Sequence, residues 1–69
     1  MASRKMTSKK IGEKIRKARK MAGLSQRKLA SIVGVCDSLI CRYENGSRLP
    51  PLHVLGNLSK ALGCQLNDL

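Results

Sequence analysis

The apolar positions of this chain fall into four groups at helical spacing, separated by short polar or glycine-containing breaks. Ile11, Ile15, Ala18 and Ala22 recur at i, i+4, i+7 and i+11 among basic residues, which predicts a narrow amphipathic helix over 9–22. Ser8 is placed to cap it and Gly23 to end it. A second helix opens after Ser25, a good N-cap, with Leu24 able to staple onto Leu29. Leu29, Ala30, Ile32 and Val33 supply its apolar side, and Gly34 stands where the backbone must turn left-handed. Val35 and Ile40 repeat the staple pattern around Cys36, so a third helix is expected from Asp37, stopping at Asn45-Gly46. Pro50-Pro51 open a fourth helix with φ already set. Leu52, Leu55, Leu58 and Leu62 are its expected buried side, and Gly63 ends it. Residues 64–69, with Leu66 and Leu69, read as the start of a fifth helix about one turn long.

The second and third helices form one unit. Ala30 is small enough for two helix backbones to approach across the turn, and Val33, Val35 and Ile40 would pin the third helix across the second. Residues 25–46 therefore read as a helix-turn-helix, with 37–45 as its exposed recognition helix. The fold expected is all-α: a compact bundle of four helices plus a short fifth helical turn. One domain spans 8–69, and residues 1–7, which show no periodicity, form a basic arm.

Composition sharpens this picture. The 69 residues suffice for one small domain, which buries only roughly 60% of its unfolded surface. Leu, Ile and Val occupy 17 positions, and there is no Phe or Trp, so an aliphatic, thin core is expected. No apolar run is long enough to span a membrane, and no apolar stretch follows the basic start as in a secretory signal. Three cysteines, Cys36, Cys41 and Cys64, make an odd count that suits a reducing cytoplasm. Their spacing, with His53 the single histidine, is not that of a zinc site. Four acids and one histidine offer no convergent catalytic set. No enzyme activity, metal or cofactor is expected.

Charge decides the class of partner. The formal net charge is +10, and nine of the fourteen basic residues lie in the first twenty positions. Such an imbalance calls for a polyanion: nucleic acid, or an anionic membrane surface. A membrane reading of the first helix predicts vesicle association, but its stripe is Ala-rich and lacks Trp and Phe, which suits packing on other helices better. Arg27 and Lys28 sit in the first turn of the second helix, where the dipole favours acids. Either they are exposed side chains of little consequence, or that end, with Gln26, faces an external phosphate.

Gly23-Leu24-Ser25-Gln26, Leu29-Ala30, Gly34-Val35, Glu44-Asn45-Gly46 and Leu62-Gly63 together resemble the Cro/repressor (Xre) helix-turn-helix family of DNA-binding regulators. The similarity runs from about Ile11 to Leu69. It implies a lambda-repressor-like fold that binds double-stranded DNA in sequence-specific fashion, as a homodimeric repressor on a near-palindromic operator. The alternative within the same fold is an antitoxin-like module whose main partner is a second protein. By match to the family motif, Asp37, Ser38 and Arg42 would read base edges, with Cys41 peripheral. Asp37 suits cytosine N4 and Arg42 guanine O6/N7, although Asp37 equally suits the positive end of its own helix and Arg42 a phosphate. Gln26, Arg27, Lys28, Asn45 and Arg48 would hold phosphates. Arg19 and Glu44 match positions that form an ion pair between the first helix and the end of the recognition helix. The chain departs from the family at Cys36, where a thiol is a poor cap in place of Ser or Thr. It departs again at Leu39, where a small polar residue is usual; Leu39 either touches a thymine methyl or packs.

Overall fold

A computed structural model describes residues 8–63. Four α-helices follow one another there: α1 (Ser8–Met21), α2 (Gln26–Val33), α3 (Asp37–Glu44) and α4 (Leu52–Leu62). The basic arm at 1–7 and the expected fifth helical turn at 64–69 lie outside the described residues.

The local signals set most of the boundaries. Ser25 has extended backbone angles and its hydroxyl accepts from the Lys28 N–H at 3.0 Å, so α2 starts with a satisfied donor. Gly34 takes φ 79° in the left-handed region, and its N–H and that of Val35 both bond to the Ala30 carbonyl, at 2.8 and 3.0 Å. Both staples have the expected burial, with Leu29 and Ile40 fully enclosed and Leu24 and Val35 half-buried against the core. Ser8 departs from expectation: it lies inside α1 rather than before it.

The core gathers Ile11 and Ile15 of α1, Leu29 and Ala30 of α2, Ile40 and Tyr43 of α3, and Val54, Leu55 and Leu58 of α4. Tyr43, only 2% exposed, is among its largest members, so the core is not purely aliphatic. Three apolar residues counted as inward face outward. Leu52 is 78% exposed because α4 turns the arc through Val54, Leu55, Leu58, Ala61 and Leu62 to the bundle, and Leu52 lies beyond its edge. Ile32 is 51% exposed because the short α2 buries the side centred on Leu29 and Ala30. Ala22 falls after the end of α1 and is exposed.

A glycine that the pattern left unread sets how α1 meets α3. A Cβ on Gly12 would lie 2.6 Å from the Glu44 carbonyl oxygen and closer still to that of Tyr43. Only a residue without a side chain lets the two backbones come this near. Gly46, at φ 83°, brings the chain leaving α3 against the start of α1, where a Cβ would sit 3.0 Å from the Lys9 Cα. Both contacts fasten the C-terminal end of α3 to the first turns of α1.

Candidate nucleic-acid interface

The buried side of α3 is anchored by charge as well as by apolar packing. Arg19 and Glu44 are 9% and 7% exposed. The Arg19 Nε donates to Glu44 Oε2 at 2.5 Å and its Nη2 to Oε1 at 3.2 Å, in a two-pronged contact. Arg19 Nη1 donates to the Leu24 carbonyl at 2.7 Å, and the Gln26 amide nitrogen donates to Glu44 Oε1 at 3.0 Å. The Arg19–Glu44 pair thus joins the end of α1, the link to α2, the first residue of α2 and the last residue of α3. No buried side-chain nitrogen or oxygen among the described residues lacks a partner, which is the condition under which such a pair is tolerated.

With Ile40, Tyr43 and Glu44 turned inward, α3 presents the opposite side to solvent. Asp37, Ser38, Cys41, Arg42 and the capping residue Asn45 are all exposed and share one helical face at i, i+1, i+4, i+5 and i+8. The three expected base readers, Asp37, Ser38 and Arg42, are therefore brought together on this face. Leu39 is half-buried against the core, so its side chain packs. Cys36 occupies the N-cap of α3 without a side-chain cap bond. Its exposed thiol lies 3.3 Å from the Ser38 hydroxyl. The Ser38 hydroxyl, and after it the nearby Leu39 backbone N–H dipole, hold the thiol below its usual pKa.

The expected phosphate holders lie in the first turn of α2 and in the segment that follows α3. Arg27 and Lys28 are exposed in the first turn of α2. Gln26 is half-buried and one N–H of its amide is committed to Glu44, so its second N–H, its oxygen and the backbone remain for a ligand. After α3, Asn45 Oδ1 accepts from the Ser47 N–H at 2.9 Å and the Ser47 hydroxyl at 2.5 Å. Arg48 is exposed in the same loop, held by its N–H to the Arg42 carbonyl at 3.3 Å. Sequence reasoning did not find the Gln26–Glu44 bond, and no local signal encodes a contact between residues eighteen apart. Among the described residues no group of three or more His, Cys, Asp and Glu could hold a metal ion. None of the described helices is long and apolar enough to cross a membrane.

A helix held from behind, exposing polar side chains, with exposed cations on the segments before and after it, is the layout of a helix-turn-helix. The family model for Helix-turn-helix matches residues 15–69. The chain belongs to the Cro/C1-type helix-turn-helix family. Among solved structures of that type, the restriction-modification controller protein C.AhdI from Aeromonas hydrophila aligns with a TM-score of 0.80 and 32% identity, covering 86% of each chain. The P22 c2 repressor, bound to a synthetic operator, aligns with a TM-score of 0.78 and 38% identity over 81% of this chain and 85% of that one. Among curated proteins, endothelial differentiation-related factor 1 of Rattus norvegicus is 34% identical over 56 residues. That match takes in 81% of this chain, which spans only 38% of the rat protein's length.

Proposed function

We propose that this Cro/C1-type domain binds double-stranded DNA in sequence-specific fashion and regulates transcription, most simply as a repressor. The observation that carries the reading is the five-residue polar face of α3, backed by the Arg19–Glu44–Gln26 network, with the exposed cations Arg27 and Lys28 at the start of α2 and Arg48 in the loop after α3. The SinR biofilm regulator in complex with DNA, 30% identical with a TM-score of 0.75, and the operator-bound P22 c2 repressor support it. In this reading the α3 face enters the major groove, and Ser38, Arg42 and Asp37 meet base edges. Backbone N–H groups at the start of α2, with Arg27 and Lys28, hold one phosphate run, and Asn45 and Arg48 hold the next. Gln26, tied to Glu44, couples the phosphate contact at α2 to the seating of α3. Two copies related by a two-fold axis read a near-palindromic operator.

Arg42 gives the sharpest test, because only Arg among the proposed readers can make a bidentate contact with guanine. Arg42→Ala should cost about 1–3 kcal/mol on the preferred site and relax preference at one base pair per half-site. Binding of mutant and wild type to single-base operator variants at two salt concentrations decides the point. A uniform loss across all variants, with the salt slope shallower by about one unit, would move Arg42 from base reading to phosphate contact.

A further inference from the structure

The exposed side of α1 carries Lys9, Lys10, Lys14, Arg16, Lys17 and Lys20 against a single acid, Glu13. Gly12, pressed on the end of α3, and Arg19, bonded to Glu44, mark the side of α1 that is turned toward α3. Lys10, Lys14 and Lys17 follow at i, i+4 and i+7 and form one ridge. That ridge lies about 140–180° around the helix from both markers, at roughly 100° per residue. It therefore points away from α3. Helix α1 is itself about 10–12 Å across, more than the Debye length of about 8 Å at physiological salt. A duplex seated on α3 is largely screened from the ridge, so binding there gives these lysines no role.

The surroundings of the ridge narrow what it fits. Met21, 80% exposed, is the one large apolar residue exposed on α1, and the chain's single aromatic, Tyr43, is buried. A protein partner would look for aromatic or aliphatic anchors. Unpaired bases would look for an aromatic ring to stack on, and a bilayer surface for a wide apolar face opposite the cations. A double-stranded phosphate backbone needs only spaced positive charge. We propose that the Lys10–Lys14–Lys17 ridge is a second docking face, for double-stranded nucleic acid of any sequence. A domain seated through α3 on one duplex then holds a second duplex on its far side. The bridging role rests on the reading of α3 given above; the ridge itself is a separate surface.

A two-duplex capture assay tests this. An immobilised duplex is loaded with the protein, washed, and offered a labelled duplex of unrelated sequence across a range of salt. The triple variant Lys10→Gln, Lys14→Gln, Lys17→Gln keeps good helix formers in α1, and circular dichroism checks that it folds. The variant should lose capture of the second duplex by about tenfold or more, and the salt slope of capture should shallow by about 2.7 units, 0.9 per lysine. Affinity for the immobilised duplex should change by less than about twofold, because the ridge is screened from it. Arg42→Ala in the same assay should do the reverse, weakening loading while captured duplex per loaded protein stays constant. If loading shows no sequence preference, the α3 reading fails, yet loss of capture in the triple variant still supports the ridge. No capture by the wild-type chain, or equal capture by the triple variant, overturns the proposal. So does retention of acidic polypeptide or anionic vesicles in place of the duplex.

Discussion

Breaking the Arg19–Glu44 pair should come close to unfolding the domain. Arg19→Met takes from the Glu44 carboxylate two of its three hydrogen bonds, at 2.5 and 3.2 Å, and leaves only the 3.0 Å bond from Gln26. The carboxylate is 7% exposed, so water cannot replace what is lost. Stranding one partner of a buried pair costs about 3–5 kcal/mol. At about 0.05–0.15 kcal/mol per residue, a 69-residue domain has only about 3–10 kcal/mol in total. Glu44→Leu should cost a similar amount, since it leaves the Arg19 guanidinium with the Leu24 carbonyl alone. The double variant, with neither charge buried, should be more stable than the sum of the single losses implies, by about 1–3 kcal/mol of coupling. Urea denaturation of the three variants, followed by circular dichroism, supplies the cycle. Additive losses, or a cost for Arg19→Met below about 1 kcal/mol as for an exposed pair, would refute the reasoning.

Two further predictions concern residues near the same helix. Gly12→Ala should destabilise by about 1–3 kcal/mol despite a helix-propensity gain of about 1, because the backbone carbonyls of Tyr43 and Glu44 cannot yield; a neutral or stabilising result in thermal melts would contradict the close approach. Cys36 should be alkylated by iodoacetamide faster than Cys41, which is also exposed, near neutral pH, its lowered pKa giving more thiolate, and Ser38→Ala should slow it; equal rates at the two thiols would remove that hydrogen bond from the account.

What the chain discloses in advance follows from how local each signal is. Ser25, Gly34 and Gly63 act within one turn of themselves, so the limits of α2 and the end of α4 could be read directly. The outward face of α3 follows from Ile40 facing inward. Leu52 and Ile32 misled because spacing gives a stripe but not which of two neighbouring stripes the bundle selects; Val54 took the place given to Leu52. A lone tyrosine on a short helix, beside Arg42, gives little periodic signal, so the burial of Tyr43 is not legible in the sequence. Gly12 reads in sequence as a weak point in a helix, and only the carbonyls of α3 behind it supply its reason. The second role of Gln26 was hidden for the same cause, since its partner Glu44 is distant in sequence. Among the candidate site residues, side-chain types and exposure were legible, while the bonds that hold them in place were not.

The central claim, that the exposed face of α3 reads DNA sequence, is tested most directly by selecting bound duplexes from a random pool. The account predicts a recurring half-site motif, present twice about 10 bp apart centre to centre as two copies on one face of the duplex require. It also predicts that Arg42→Ala relaxes one base pair in each half. A pool that stays random after selection, although it is retained on the protein through charge, would contradict it.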